Sequence, residues 1–279
     1  MRPGPSVLVV CAVVATLTIT WPLARGAEAG GLRTLAIAGS GSALALTRHL
    51  ATAFTLVRRD IALEISSGIG STGGIMAVAD GAIDLGLSSR PLRDSEQAAG
   101  LVEVPFAISP LVVGAHPTVA DDAVTSAALV EIYRGTRRHW SDGEEIVVLN
   151  REPGDANVAV LSRHVPGFAE AFAEASRARR WAVLYTHQDM SRAIARTPYA
   201  MGTIDGCSLA VERSPIKALQ LDGVAPTAEN VRAGRYRVVR PLTLVYRAGR
   251  LPAQARAYLD FVRSGQGREA IRAAGCVPA

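Results

Sequence analysis

The apolar positions of this chain fall into short runs of β-type spacing that alternate with stretches of helical spacing for most of its length. A run at residues 35–38 ends in Gly39-Ser40-Gly41-Ser42 and gives way to an amphipathic stretch over residues 43–57. A β-branched run at residues 61–65 leads into Ser66-Ser67-Gly68-Ile69-Gly70-Ser71-Thr72-Gly73-Gly74, after which Ile75, Met76, Val78 and Ala79 resume at helical spacing. Both read as strand, glycine-rich loop, helix. Residues 102–114 form a long extended run punctuated by proline, and residues 235–246 form a second, interrupted by Pro241. Between them the pattern predicts helices over residues 127–133, 168–180 and 188–196 and strands over residues 146–149 and 181–185. A last helix is expected over residues 253–274. This alternation predicts α/β lobes, each a mostly parallel sheet flanked by helices, with the two long extended runs as the crossings between lobes. Sheets of this kind place ligand loops at the carboxyl ends of their strands.

Those loops carry the chemistry. Glycine lets the backbone approach a ligand, free N–H groups at a helix start point outward, and the hydroxyls of Ser71 and Thr72 add donors, so a small oxyanion meets several converging donors. The loop at residues 39–42 repeats the device. After the next apolar run comes Ser88-Ser89-Arg90, which brings a cation into the same half of the chain.

The order of these segments resembles the PstS-like phosphate-binding proteins, the periplasmic solute receptors of bacterial ATP-driven phosphate importers. The resemblance rests on Gly39 to Ser42 with Leu50 to Phe54, on Gly68 to Gly74, and on Ile83-Asp84-Leu85-Gly86-Leu87-Ser88-Ser89-Arg90-Pro91-Leu92. It continues through Glu131 to Gly135, Trp140 to Gly143, Arg151 to Gly154, Ala195 to Gly202 and Arg240 to Leu242. It implies a two-lobed type II periplasmic-binding-protein-like fold joined by a two-segment hinge. The first lobe would comprise residues 30–109 and 240–279 and the second residues 110–239. It further implies a ligand site built from Gly41, Ser42, Ser71, Thr72, Ser89, Arg90 and Arg151, with Asp155 and Asn157 setting selectivity. The expected ligand is phosphate or a phosphate-like anion and the expected partner an inner-membrane ABC permease. The same resemblance implies a monomeric periplasmic protein that is not an enzyme, with no cofactor, metal or nucleic-acid partner.

The third ligand loop departs from the family, which usually follows its Arg-x-x-Gly segment with Ser-Gly-Thr. Here Asp155-Ala156-Asn157 stands in that place. An ionised aspartate ~4 Å from a unit negative charge costs ~4 kcal/mol at an effective dielectric of ~20. Three readings of Asp155 stay open: it caps its own helix, it accepts a hydrogen bond from a protonated oxyanion, or it pairs with a cationic group on a larger, zwitterionic ligand.

The N-terminus has the anatomy of a cleaved export signal over residues 1–29. Arg2 precedes an apolar stretch at residues 7–21, too short for a membrane span, and Ala27-Glu28-Ala29 offers small residues for cleavage. Export leaves Cys207 and Cys276, which either pair in the oxidising compartment or serve as small buried apolar residues. The family's chain path would put Cys207 in the second lobe and Cys276 in the first. The formal charge of +5 suits an anionic ligand, but the charges of both signs are interspersed, which argues against a nucleic-acid surface. Two other functions compete. A secreted scavenging module would keep the fold, bind a phosphonate or zwitterionic solute and lack a transporter. A dinucleotide-dependent oxidoreductase would use Gly68-Ile69-Gly70-Ser71-Thr72-Gly73 as G-x-G-x-x-G, yet no acidic residue ends the following strand.

Overall fold

The computed structural model describes residues 33–279, so the export segment expected over residues 1–29 lies outside the described residues. Strand β1 (Arg33–Gly39) runs into helix α1 (Gly41–Val57), β2 (Ile61–Gly68) into α2 (Gly70–Ala79), and β3 (Leu85–Ser88) precedes the short helix α3 (Asp94–Ala98). The long strand β4 (Leu101–Ala115) is followed by β5 (Ala123–Val124), α4 (Ser126–Arg134), β6 (Val147–Arg151), α5 (Ala156–His164) and α6 (Phe168–Arg177). Next come β7 (Ala182–Leu184), α7 (His187–Arg196), β8 (Ala200–Asp205), α8 (Gly206–Glu212), β9 (Lys217–Ala218) and β10 (Gln220–Leu221). The chain closes with α9 (Ala228–Arg232), β11 (Val239–Arg247), α10 (Ala253–Arg263), α11 (Gly265–Ala273) and β12 (Val277–Pro278).

Ten of the described strands form one curled sheet whose main path is β2-β1-β3-β11-β4-β8-β6-β7, with β9 and β12 also pairing with β4, while β5 and β10 form a separate two-stranded sheet. Pairing is parallel among β2, β1 and β3 and again among β8, β6 and β7, and antiparallel where β11 and β4 cross the middle. Strand β4 serves both ends. Its residues up to Pro110 pair with β11, and from Leu111 onward its partner is β8. The two extended runs expected as crossings are thus β4 and β11, side by side.

Each end of the sheet has its own core. On the β1 side, Leu35, Leu44, Leu85 and Leu242 pack with Phe54 and Tyr258, whose rings meet edge to face at 5.3 Å. On the β6 side, Leu129, Tyr133, Trp140, Phe168 and Met201 form a second cluster. Removing such side chains from water contributes about 1.5–3 kcal/mol each, which holds the site-bearing strand ends in place.

The structure differs from the sequence pattern in several places, beginning with the central strand β8 and the short elements α3, α9, β5, β9, β10 and β12, which the pattern did not predict. The expected last helix is two, because Ser264 adopts an extended conformation and its hydroxyl accepts the N–H of Gly267 to start α11. Helix α5 was anticipated only through the reading of Asp155 as a helix cap: it buries only Asn157, Val160 and Leu161, too narrow an apolar stripe to register as a periodic pattern. Helix α8 carries Cys207 into the same core as Cys276 rather than into the opposite one. Both cysteines are buried free thiols. The hydrogen bond with Cys276 and burial push the Cys207 thiol well up from its ordinary value.

Candidate functional site

A cavity of about 380 Å³ opens between the carboxyl ends of the strands on the two sides of the sheet. On the β1 side, Gly39 has φ +142° and a Cβ there would sit 2.2 Å from the Leu87 carbonyl oxygen, so β1 can turn into α1 against β3 only with glycine. The turn is fixed by the Ser40 N–H donating to that carbonyl at 2.8 Å and by the Ser40 hydroxyl donating to Ser89 Oγ at 3.0 Å. The Ser89 N–H donates to Ser71 Oγ at 3.1 Å, which ties the start of α2 to the end of β3. Neither α1 nor α2 has a side chain capping its first turn. Their leading N–H groups remain open to a ligand, at the end of each helix where the macrodipole favours negative charge. Arg90 lines the same wall but is held by Glu96 through two bonds, at 2.7 and 2.8 Å, and reaches Thr72 Oγ1 at 3.4 Å. The Arg90 guanidinium holds the Glu96 carboxyl down to about 2.

The β6 side is built around Arg151, which is buried. It donates to the carbonyl oxygens of Leu184, Tyr185 and Thr186 at 2.8–3.0 Å and forms an ion pair with Asp155 at 2.6 Å. Asp155 also caps α5, its other carboxylate oxygen accepting the Asn157 N–H at 2.8 Å. The cap reading of Asp155 is therefore correct, and it is joined by a second role: the carboxylate neutralises the cation of its own loop. Helix α7 begins on the same wall, capped by Thr186, whose hydroxyl accepts the Asp189 N–H at 3.0 Å. Helices α1, α2, α5 and α7 thus all present their N-terminal residues to one cavity.

Arg240, at the start of β11, ties the two walls together. It is fully buried, pairs with buried Asp205 at 3.1 Å, donates to Ser42 Oγ at 2.9 Å and donates to Asn157 Oδ1. His187, the first residue of α7, is also buried, and burial lowers its imidazole to about 4, so it is neutral at physiological pH. Arg151 Nε, Arg240 Nε and His187 Nε2 have no hydrogen-bond partner among the described residues. At Gly41 a Cβ would lie 2.9 Å from His187 Cβ and 3.0 Å from Gln188 Oε1. Glycine there lets the starts of α1 and α7 touch across the cleft.

Of the nine residues named from the sequence, all but Asn157 line the cavity. Asn157 stands behind it, its amide donating to the carbonyl and hydroxyl of Thr203 while its oxygen accepts from Arg240. Sequence reasoning missed Glu152, Tyr185, Thr186, His187, Gln188 and Arg240, which also line the cavity. One signal was available for α7: Thr186 with Asp189 three residues on is a helix-start pattern. Arg240 was visible only as part of a family-like segment.

The comparisons with known proteins agree with this architecture. The model of the PBP superfamily domain matches residues 25–266, and the chain belongs to that superfamily, with the fold of type II periplasmic binding proteins. The phosphate-binding protein PstS of Bacillus subtilis is 25% identical over 236 residues, covering 82% of this chain and 75% of the relative. Among solved structures, a Clostridium perfringens protein assigned as the substrate-binding protein of a phosphate ABC transporter, with bound phosphate, superposes with a TM-score of 0.77. It is 25% identical and covers 88% of this chain and 100% of its own. A phosphate-binding protein from Stenotrophomonas maltophilia shares the fold at a TM-score of 0.67 and 13% identity, covering 88% of this chain and 90% of its own. No helix among the described residues is long and apolar enough to cross a membrane.

Proposed function

We propose that this protein is an exported receptor that binds a phosphate-like oxyanion in the cleft and delivers it to the permease of an ABC importer. The observation that carries the reading is the convergence of four helix starts on one hydroxyl-lined cavity. Such a site stabilises an anion by fixed dipoles and neutral donors. In this reading Gly41, Ser42, Ser71, Thr72 and Ser89 supply the donors and Arg90 and Arg151 the flanking positive charge. Asp155 sets how much of the Arg151 charge the ligand feels, and Asn157 positions Arg240. The names of the relatives, phosphate-binding proteins and a transporter component, support phosphate as the starting candidate and a permease as the partner. The protein works as a periplasmic monomer after residues 1–29 are removed. Its lobes, residues 30–109 with 240–279 and residues 110–239, close on the ligand, and the permease recognises the closed state.

The test is a thermal-shift panel of phosphate, arsenate and sulfate on the purified protein. A ligand that binds only the folded state raises the unfolding midpoint, by about 2.7 kcal/mol of stabilisation at a hundred times its Kd. Phosphate and arsenate are expected to shift the midpoint. A midpoint unmoved by any anion at millimolar concentration refutes the receptor reading.

A further inference from the structure

The charge balance and size of the cleft define its ligand further. Each cavity arginine is already matched by a carboxylate: Arg90 by Glu96, Arg151 by Asp155 and Arg240 by Asp205. His187 is neutral. Glu152 also lines the cavity, half-buried, and its carboxylate has no hydrogen-bond or ion-pair partner among the described residues. The wall therefore carries one surplus negative charge in a site whose helix starts favour an anion. A free phosphate dianion uses the helix starts and gains nothing from Glu152.

Size points the same way. A phosphate group takes up on the order of 70 Å³, little more than two waters at ~30 Å³ each, so the open cleft of roughly 380 Å³ has room for a larger ligand before the lobes close. Such a cleft is in the size class of sites for small organic ligands. Its rim carries Tyr185, 67% exposed, and Ile69, 49% exposed, one on each wall. An exposed tyrosine and a free carboxylate lining the same cavity suit an ammonium group on a short carbon linker, the carboxylate through charge and the ring through its quadrupole.

We infer that the site takes a zwitterionic organophosphorus compound, a phosphorus oxyanion joined by a short carbon chain to a primary amine. The oxyanion sits at the starts of α1 and α2 and the ammonium faces Glu152 and Tyr185. This rests on the oxyanion-receptor reading above and narrows its substrate class.

Calorimetric titrations with 2-aminoethylphosphonate, ethylphosphonate and inorganic phosphate test it, since the first two differ only in the ammonium group. The aminated ligand is expected to bind about tenfold tighter than ethylphosphonate, a difference of ~1.4 kcal/mol. In Glu152→Gln, that ratio is expected to fall to near one, with ethylphosphonate itself binding more tightly once the like charge is gone. Glu152 has no partner to lose, and a thermal melt of the variant verifies its fold. Ethylphosphonate or phosphate binding as tightly as the aminated ligand overturns the zwitterion inference while leaving the oxyanion reading intact. A ratio unchanged in Glu152→Gln also overturns it, and failure of all three ligands to bind overturns both.

Discussion

At the scale of single residues, Asp155 replaces the hydroxyl-bearing loop of the resembling family with a carboxylate that serves two bonds at once. Serine at this position keeps the helix cap but releases Arg151, whose side chain is only 8% exposed. Breaking one partner out of a buried pair leaves an uncompensated charge and costs about 3–5 kcal/mol. Asp155→Ser is therefore expected to lower the unfolding midpoint without ligand and to recover much of the loss when phosphate or sulfate is added. The ligand-induced shift should exceed that of the wild type, most of all for sulfate, which has no proton to offer near neutral pH. Equal shifts in the two proteins would show that Arg151 is out of the ligand's reach. His187 makes a separate, pH-dependent contribution. The unfolded imidazole protonates below its ordinary 6.5, whereas the buried one stays neutral to about 4. The unfolded chain thus binds more protons in that window, so this stability is fully present above pH 6.5 and is lost as the pH falls toward 4, by about 3 kcal/mol. Urea unfolding of wild type and His187→Gln at pH 7 and pH 4.5 measures it. The wild type should lose more stability than the variant, and matching losses would exclude His187 as the cause.

At the scale of elements, the glycine-rich loops before α1 and α2 were legible because strand, glycine and helix each leave a local mark. The walls they form depend on contacts that leave none. Arg240 reaches Ser42 across 198 positions and Asn157 across 83, and no periodicity announces such a pairing. Helix α5 left no periodic mark beyond its capping residue, and α8 was missed with the core it joins. Asp155 was legible as a cap, but its pairing with Arg151 depends on how the β6 turn presents both. The contact between the starts of α1 and α7 gives the element-scale prediction. Gly41→Ala forces its Cβ against His187 Cβ at 2.9 Å, and overpacking of this kind costs about 1–3 kcal/mol. Because the strain falls on the cleft, phosphate affinity measured by calorimetry is expected to drop about tenfold, whereas Gly265→Ala, with open space around it and no left-handed backbone to strain, should leave affinity unchanged. Wild-type affinity in Gly41→Ala would mean that α1 and α7 need not meet in the bound state.

At the scale of the whole molecule, the sequence pattern conveyed two extended crossings and an α/β alternation, while their lateral pairing emerged only from the folded sheet. Strand β4 contributes fifteen residues to that sheet and belongs to both ends of it. A chain with a separate large core at each end of its sheet would ordinarily be expected to melt in two steps, each core on its own schedule. Here neither core can lose its sheet without unzipping a strand that the other also needs, because β4 changes partner between Pro110 and Leu111 with no break in its own backbone. Scanning calorimetry without ligand is accordingly expected to give one endotherm whose calorimetric and van't Hoff enthalpies agree, the signature of all-or-none behaviour. Two resolved endotherms would show that the strand frays at its midpoint. If the single endotherm holds, substitutions far from the cleft that loosen either core destabilise the whole receptor together, and the shared strand makes thermal cooperativity a property of the pair.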